Sequence, residues 1–340
     1  MTNYTPRHTL IASAPTRLDF GGGWTDVPPF PEDRGGFVCN LAIDRRATVT
    51  IVAPPSSSAL ISASTDSDLG LASNVPLVRA ALSRAAREAH FPAIESVSLS
   101  SDFPVGAGLG GSSAAGVALA AACAAHQGRV LGPQALAEWS RAVEVEEMGV
   151  AGGRQDHYAA AYGGALGITF ATETTAERIA LAADTIQLLE SRCLLVYTGE
   201  SRISGTTISA VLDAYRNRES RVLHALDRMK TLAMYMRDAL ANGDIDALAA
   251  LVDEHWTHQR SLHPGITTPR IDALENSARR AGATGVKALG ASGGGCVIVF
   301  APGDSVAHVG EALSEWGTLL PWTVAPEGVR IKVRQEVRED

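Results

Sequence analysis

Alternating and helix-spaced apolar residues divide the chain into strands and helices along its whole length. β-Branched or alternating runs predict strands at 9–14, 48–53, 97–100, 166–170, 193–197, 296–300 and 328–333. Helical spacing predicts helices at 77–90, 112–127 and 133–148, followed by a mostly helical stretch between 204 and 281, while glycine pairs bound the segment 154–162 on both sides. Strands and helices in both halves predict an α+β protein of two domains with a cleft between them. The weak pattern at 171–190 makes that segment the candidate boundary, with domains at 1–185 and 186–340.

A glycine-rich loop connects the strand at 97–100 to the alanine-rich helix at 112–127. Four glycines within six residues, at 106–111, allow the backbone to curl and to approach a ligand closely. The helix presents unpaired N–H groups and the positive end of its dipole to the loop, and together these form an anion site. Ser112 and Ser113 can cap the helix, and one hydroxyl can also bind a phosphate-bound Mg²⁺. A purely structural loop is the alternative, but the paired serines favour phosphate binding.

The composition narrows the classes of partner. The 340 residues are 46% hydrophobic and 19% charged, an ordinary globular balance, and the net charge of -8 predicts no basic surface for nucleic acid. No apolar run reaches the length of a membrane span, and the start of the chain lacks a signal-peptide pattern. The four cysteines are far apart and form no CxxC pair, so we expect buried free thiols in a reducing cytoplasm.

Acidic residues follow the alanine-rich helix in two places. Glu144, Glu146 and Glu147 close the helix at 133–148; Glu144 and Glu147 share one face, and Glu146 points elsewhere. They could bind Mg²⁺, and a solvated acidic helix end is the alternative. Asp156 lies among glycines and small residues. It could orient or deprotonate a hydroxyl nucleophile, or it could simply cap the next helix.

Two further glycine segments flank this region. Near the start of the chain, three glycines at 21–23 lie between Arg17 and Asp26. Backbone without Cβ atoms beside Asp26 suits a polyhydroxylated ligand, and a loop with an Asx turn is the alternative. The second segment, at 290–295, could pack over phosphates or could simply form a tight entry into the strand that follows.

Three segments in this order resemble the motifs of the GHMP kinase superfamily, named for galactokinase, homoserine kinase, mevalonate kinase and phosphomevalonate kinase. Segment 17–26 is similar to the first motif, which contacts the substrate; 104–114 is similar to the second, the ATP-phosphate loop; and 287–295 is similar to the third. Three motifs in order are far more specific than one glycine loop. The resemblance implies a GHMP kinase fold, with an N-terminal domain like ribosomal protein S5 domain 2 and a ferredoxin-like C-terminal domain.

The resemblance also implies roles for individual residues. It implies ATP binding by Pro104, Gly106, Gly108, Leu109, Gly110, Gly111, Ser112 and Ser113. It implies substrate binding by Gly22, Gly23, Thr25, Asp26, Asp156, Arg202, Lys287, Gly293 and Gly294. Asp156 and Arg17 take catalytic roles. Ser112 and a glutamate bind the Mg²⁺ that accompanies ATP; Glu146 fits best, and Glu144 stays open. Arg202 and Lys287 are the candidate basic clamp for a substrate that already carries a phosphate.

Within the superfamily, segments 21–29, 153–164, 197–202, 254–256 and 269–272 resemble bacterial heptose 7-phosphate kinases, with L-fucokinases nearby. This implies a kinase for the anomeric hydroxyl, with D-glycero-D-manno-heptose 7-phosphate converted to the 1,7-bisphosphate. An L-fucokinase or another free-sugar 1-kinase is one alternative, and Trp24 and Val27 resemble the fucokinase form. A non-catalytic sugar-binding regulator is another. The implied partners are ATP and a sugar or sugar phosphate, with a homodimer as a possible assembly.

Overall fold

Two β-sheets, each covered by helices, organise the fold. The computed structural model describes residues 8–53, 62–63, 75–200 and 205–335. The strands are β1 His8–Gly21, β2 Gly36–Ala53, β3 Ser62–Ala63, β4 Ser96–Ser101, β5 Ala165–Phe170, β6 Thr174–Ile179, β7 Cys193–Tyr197, β8 Gly285–Ala288, β9 Cys296–Phe300, β10 Thr318–Leu319 and β11 Arg330–Gln335. The helices are α1 Phe30–Arg34, α2 Val75–Glu88, α3 Gly111–His126, α4 Pro133–Ala142, α5 Gln155–Tyr162, α6 Ala183–Arg192, α7 Gly205–Arg216, α8 Ser220–Ala241, α9 Ile245–Ser261, α10 Pro269–Arg280 and α11 Val306–Ser314.

The first sheet has the strand order β11–β1–β2–β4–β3, and β5 also pairs with β2 and carries β6. The length of β2 permits this, because its first part pairs with β5 and its later part with β4. The first strand was predicted to end before Pro15, but β1 continues to Gly21. Its register against β2 shifts between Pro15 and Thr16, and such an irregularity tolerates a residue that has no N–H to donate. The extension carries Arg17 and Asp19, whose side chains are both buried.

Helix α3 lies buried against the first sheet, as its small side chains predict. It packs closely on α4, since a Cβ added to Gly116 would lie 2.3 Å from the Ser140 hydroxyl. The predicted helix at 133–148 is regular only to Ala142 and continues as a π-helical turn over Val143–Glu147. A π turn adds a residue to the helical register and is frequent at functional sites.

The second sheet has the strand order β10–β7–β9–β8, and each neighbouring pair is antiparallel. Its connections run β7, helices α7–α10, β8, β9, α11 and β10, which is the β-α-β-β-α-β sequence of a ferredoxin-like domain. The expected α+β, ferredoxin-like architecture is therefore confirmed. The domain division between residues 185 and 186 stays a prediction. The chain returns to the first sheet at its end, because β11 pairs with β1.

The four cysteines are buried free thiols, as expected. Burial raises the pKa of Cys123 and of Cys296 to about 12, so both thiols stay protonated near neutral pH. Within the described ranges, no helix is long and apolar enough to cross a membrane.

Candidate active site

The three glycine segments of the sequence meet around one cleft of about 630 Å³. The loop before α3 lies directly against the loop between β8 and β9. A Cβ added to Gly108, whose φ is +72°, would lie 2.9 Å from the Leu289 carbonyl oxygen, and the two backbones touch at Gly290. The Cys296 N–H also donates to the Ala107 carbonyl at 2.8 Å. Position 108 therefore requires glycine for two reasons: the Leu289 carbonyl lies too close for a Cβ, and the backbone is left-handed.

All the residues predicted to bind ATP phosphates line this cleft, from Pro104 to Ser113. Gly110 is the residue before α3 and has a φ of +74°, and Ala114 N–H donates back to its carbonyl at 2.9 Å. The first N–H groups of α3 therefore open toward the cleft as an anion site. Leu109 contributes backbone only, because its side chain is buried in the core.

Glu144, rather than Glu146, is the glutamate that meets Ser112. The Ser112 hydroxyl donates to Glu144 Oε1 at 2.5 Å, and His157 Nε2 lies 3.1 Å from Glu144 Oε2. Because a carboxylate only accepts, Nε2 carries a proton, and Nδ1 lies 2.9 Å from the Ser140 hydroxyl. Glu146 is largely exposed and pairs with Arg84 of α2 at 2.7 Å.

The pair of Ser112 and Glu144 fits a magnesium ion. Burial acts to raise the pKa of Glu144, but His157 and the hydroxyls of Ser112 and Ser113 outweigh it and hold that pKa below its usual range. The carboxylate is thus ionised at neutral pH beside a hydroxyl oxygen, and both are hard donors. Within the described residues, no group of three or more His, Cys, Asp or Glu side chains could hold a metal. An ion bound by Ser112 and Glu144 would therefore take its other ligands from phosphate oxygens and water.

Asp156 lies at the start of α5, next to the phosphate loop and in contact with Arg17. Arg17 Nε donates to Asp156 Oδ1 at 2.8 Å, and Arg17 Nη2 lies 2.7 Å from the same oxygen. Arg17 Nη1 also donates to the Gly108 carbonyl at 2.6 Å. A Cβ added to Gly110 would lie 2.9 Å from the Asp156 carboxyl carbon. Arg17 thus ties the carboxylate to the phosphate loop and leaves Oδ2 for a ligand.

Asp26 lines the cleft, but its carboxylate is engaged by the backbone. Oδ2 accepts from the N–H groups of Arg154 at 2.9 Å and Gln155 at 3.0 Å, where α5 begins. A Cβ added to Gly153 would lie 1.9 Å from that oxygen. Burial, opposed by the bond from Gln155, raises the pKa of Asp26 to about 6. Its visible role is to orient the start of α5, which carries Asp156; contact with a sugar stays a prediction.

Several predicted substrate residues lie behind the cleft rather than on it. Thr25 is buried, and its hydroxyl donates to the Gly22 carbonyl at 2.7 Å. Lys287 is fully buried and donates to the Asp19 carbonyl at 2.7 Å and to its Oδ2 at 3.1 Å. Two of the three ammonium N–H groups are used by Asp19, and the fully buried side chain is not part of the cleft lining, so Lys287 does not reach a substrate phosphate from the cleft wall. Gly294 lines the cleft, whereas Gly22 and Gly293 are not among its lining residues, and Arg202 lies outside the described residues.

His255 supports the first glycine segment from behind. Its Nε2 accepts from the Gly22 N–H at 2.9 Å, so the ring proton sits on Nδ1. Burial, together with Lys287, lowers the pKa of His255 to about 3. The imidazole is therefore neutral in the folded protein at neutral pH.

Some residues at the site were not predicted from the sequence. Asp19, Trp24 and Gln155 are buried and line the cleft. Glu144 was one of the two open candidates, and its contact with His157, like that of Ser140, is seen only in the structure. Asp19 and Trp24 lie in segment 17–26, whose resemblance to the first motif marked the segment but not these two side chains.

Comparisons with known proteins agree with this geometry. Sequence models for the GHMP kinases N terminal domain and for GHMP kinases C terminal match residues 76–164 and 236–319, together about half of the chain. The chain is 25% identical over 338 residues to a D-glycero-alpha-D-manno-heptose 7-phosphate kinase of Campylobacter jejuni, and the match covers 95% of this chain and 98% of that one.

Two further likenesses extend the comparison. The chain is 28% identical over 329 residues to a bifunctional fucokinase/GDP-fucose pyrophosphorylase of Arabidopsis thaliana; the match covers 88% of this chain but only 30% of that enzyme. A crystal structure of a D-glycero-D-manno-heptose 1-phosphate kinase from Bacteriodes thetaiotaomicron superposes with a TM-score of 0.76 at 23% identity, covering 95% of this chain and 98% of the other. This last likeness concerns the fold.

Proposed function

The chain belongs to the GHMP kinase family of ATP-dependent phosphotransferases, and we propose that its acceptor is the anomeric hydroxyl of a sugar. The observation that carries the proposal is Asp156, fixed by Arg17 at the edge of the phosphate loop within one cleft. A hydroxyl that binds Asp156 Oδ2 would lie beside the terminal phosphate of a nucleotide held by that loop.

The nucleotide end of the cleft binds and neutralises phosphate. Backbone N–H groups at the start of α3 donate to the triphosphate oxygens. Ser112 and Glu144 would hold the Mg²⁺ that GHMP kinases typically use with ATP, and the ion would supply charge neutralisation on the phosphate oxygens when bound. Glu144 keeps its orientation through the hydrogen bond from His157.

Asp156 acts on the acceptor. Its free oxygen accepts the hydrogen bond of the attacking hydroxyl and so aligns the oxygen with the γ-phosphorus. As the new O–P bond forms and the bond to ADP breaks, the hydroxyl proton passes to Asp156. Arg17 keeps the carboxylate in position through its two contacts with Oδ1.

The favoured acceptor is D-glycero-D-manno-heptose 7-phosphate. The support is the nearly full-length likeness to the Campylobacter enzyme, which is named as a kinase of D-glycero-alpha-D-manno-heptose 7-phosphate. A cytoplasmic location and a homodimer also remain predictions.

A free sugar such as L-fucose is the second candidate, and one observation favours it. Among the described residues that line the cleft, Arg17 is the only arginine or lysine, and it is already paired with Asp156. A substrate that carries a second phosphate needs a cationic partner, and Lys287 does not supply one from its buried position.

The test is an assay of ADP release from ATP–Mg²⁺ with a panel of heptose phosphates, L-fucose and other free sugars. We expect turnover of at least one sugar, with D-glycero-D-manno-heptose 7-phosphate giving the highest kcat/KM. A higher kcat/KM for L-fucose would overturn the favoured substrate and leave the sugar-kinase proposal intact. No ADP release with any sugar would overturn that proposal as well.

A further inference from the structure

Two fully buried polar side chains lie one turn apart near the end of helix α9. His255 is 0% exposed and Gln259 is 1% exposed. Residues four apart share one face of a helix, so both side chains leave α9 in the same direction. The other buried residues of α9 are apolar or aromatic: Ile245, Leu248, Ala249, Val252 and Trp256. A buried polar group costs free energy unless it is hydrogen-bonded, so the groups that these two side chains bind decide what they do.

His255 binds the glycine segment at 21–23. Its Nε2 accepts from the Gly22 N–H at 2.9 Å, and a Cβ added to Gly21 would lie 3.1 Å from the imidazole ring. The next residue of the segment, Gly23, lines the cleft. The imidazole therefore fixes a piece of backbone that leads directly into the cleft wall.

Gln259 binds the other glycine segment, the loop at 290–295. Its Nε2 donates to the Gly290 carbonyl at 3.1 Å and to the Ser292 hydroxyl at 3.2 Å. Because a carbonyl oxygen only accepts, the amide nitrogen faces the loop. Ser292 lines the cleft and has a φ of +64°, in the left-handed region that a serine rarely adopts. Such backbone persists where the surrounding structure holds it, and Gln259 is one of the groups that hold it.

The loop at 290–295 in turn supports the phosphate loop. A Cβ added to Gly295 would lie 2.9 Å from the Ala107 carbonyl oxygen, and one added to Gly290 would lie 3.3 Å from the Gly108 Cα. Gln259 is therefore separated from the phosphate loop by one layer of backbone. Helix α9 itself contributes no residue to the cleft lining within the described ranges.

We propose that α9 positions two walls of the cleft through separate side chains. Gln259 holds the loop at 290–295 against the phosphate loop and so sets the affinity for ATP. His255 holds the segment at 21–23 and so sets the KM for the acceptor. Both are positioning residues, because each acts through a backbone segment. The role of Gln259 requires only ATP as the phosphoryl donor, whereas the role of His255 rests on the proposed sugar-kinase function.

The role of Gln259 is tested by calorimetric titration of the full-length protein with ATP–Mg²⁺ in the absence of an acceptor. Gln259→Met removes the amide at nearly constant length and leaves the Gly290 carbonyl and the Ser292 hydroxyl without this donor. We expect the Kd for ATP to rise about tenfold, because the loop loses both hydrogen bonds, while the KM for sugar stays within about twofold.

A second variant keeps this test independent of folding. Ser292→Gly removes only the hydroxyl, and glycine readily adopts a φ of +64°. Since one of the two hydrogen bonds from Gln259 is lost, the Kd for ATP should rise about threefold. An unchanged Kd for ATP in both Gln259→Met and Ser292→Gly overturns the role of Gln259, whatever the protein does with sugars.

The role of His255 is tested by the KM for L-fucose or for D-glycero-D-manno-heptose 7-phosphate. His255→Leu leaves the Gly22 N–H without an acceptor, and His255→Asn, whose amide is too short to reach it, repeats the test with a polar side chain. We expect each to raise the KM about tenfold and to leave the Kd for ATP within about twofold. His255→Gln keeps an acceptor oxygen at a similar reach and should restore the KM. An unchanged KM in the first two variants, or no rescue by glutamine, overturns the role of His255.

Matched controls change the same residue types away from the cleft. His126 Nε2 lies 3.0 Å from the Pro92 carbonyl oxygen, and Gln127 Nε2 donates to the Ala85 carbonyl at 2.9 Å. His126→Leu and Gln127→Met should leave both the Kd for ATP and the KM for sugar unchanged.

The separation of the two constants distinguishes positioning from general support of the fold. Equal changes of the Kd for ATP and the KM for sugar in both Gln259→Met and His255→Leu would show a general loosening and overturn the proposal. If the wild type neither binds nor phosphorylates any sugar, the proposed function and the role of His255 fail together. The titration with ATP then still decides the role of Gln259.

Discussion

The two ends of the cleft are formed by different kinds of group, mainly backbone at one end and buried side chains at the other. The nucleotide end consists of backbone and short side chains from one continuous segment, the loop at 106–111 and the start of α3, joined by Glu144. The acceptor end consists of buried side chains from β1, from the turn after it and from α5. Among the described residues at this end, Asp19, Trp24 and Gln155 each carry one side-chain atom without a hydrogen-bond partner.

This difference separates what the family shares from what the individual enzyme selects. A triphosphate is the same in every ATP-dependent kinase, and backbone N–H groups at a helix start bind it without regard to the rest of the ligand. Acceptors differ in the pattern of hydroxyls, and only side chains at defined positions can distinguish such patterns. Substitutions at the two ends should therefore change different kinetic constants.

The largest effect on kcat should follow from replacing Asp156, which lies between the nucleotide end and the acceptor end of the cleft. We expect Asp156→Asn to lower kcat by about 10³-fold, because the amide cannot take the hydroxyl proton. The affinity for ATP should hardly change. Single-turnover kinetics and nucleotide titration measure the two quantities, and Asp213→Asn, at an exposed position paired with Arg216, is the control. Near-normal turnover would show that Asp156 does not act on the acceptor.

Glu144 and Glu146 form a matched pair at the nucleotide end. Glu144→Gln removes the charge beside Ser112, so the Mg²⁺ concentration for half-maximal activity should rise about 10- to 100-fold. Glu146→Gln breaks only the ion pair with Arg84, and the Mg²⁺ requirement should stay within about twofold. Titration of Mg²⁺ or Mn²⁺ against nucleotide binding checks both. The reverse ranking would assign the metal to Glu146.

The free energy of unfolding should depend on pH through His255, which lies behind the acceptor end. The pKa of His255 is about 3 in the folded chain and about 6.5 when unfolded, so at pH 5 only the unfolded state binds the proton. The stability that the neutral ring contributes is present above pH 6.5 and is lost as pH falls toward 3. Relative to His255→Gln, the wild type should lose about 2 kcal/mol between pH 7 and pH 5. Urea unfolding at the two pH values measures this, and parallel changes in both proteins would contradict it.

The smallest effect concerns the packing that supports the nucleotide end. In Gly116→Ala the new Cβ would lie 2.3 Å from the Ser140 hydroxyl, which also binds His157. We expect a loss of about 1 to 2 kcal/mol in the free energy of unfolding. At Gly303 no heavy atom lies within 4 Å of an added Cβ, so Gly303→Ala should stay within about 0.5 kcal/mol. Equal stabilities would show that α3 and α4 have room to separate.

The sequence placed the loop before α3 on the cleft as a whole, whereas of the described residues predicted to bind substrate only Gly23, Asp26, Asp156 and Gly294 line it. A run of glycines before an alanine-rich helix specifies its own local structure, so the loop from Pro104 to Ser113 was located correctly on the cleft. The choice between Glu144 and Glu146 depended on the π turn at Val143–Glu147, which a helical wheel does not reveal. The helical register across such an irregular turn depends on tertiary contacts rather than on the local sequence.

The acceptor end depends on which side chains the fold buries. Lys287 was a reasonable candidate for a phosphate clamp, yet β8 carries it into the core, where it meets Asp19 from β1. The sequence separation of 268 residues leaves no local signal of that pairing. In the same way, the unpaired atoms of Trp24 and Gln155 are visible only when their neighbours are known.

The position of the transferred phosphate tests the central claim most directly. The wild-type protein would be incubated with ATP–Mg²⁺ and L-fucose or D-glycero-D-manno-heptose 7-phosphate, and the product analysed by phosphorus and proton NMR. We expect a phosphate on the anomeric oxygen, and no product from a 1,5-anhydro analogue that lacks this hydroxyl. A phosphate on any other oxygen, or phosphorylation of the anhydro analogue at the same rate, would contradict it.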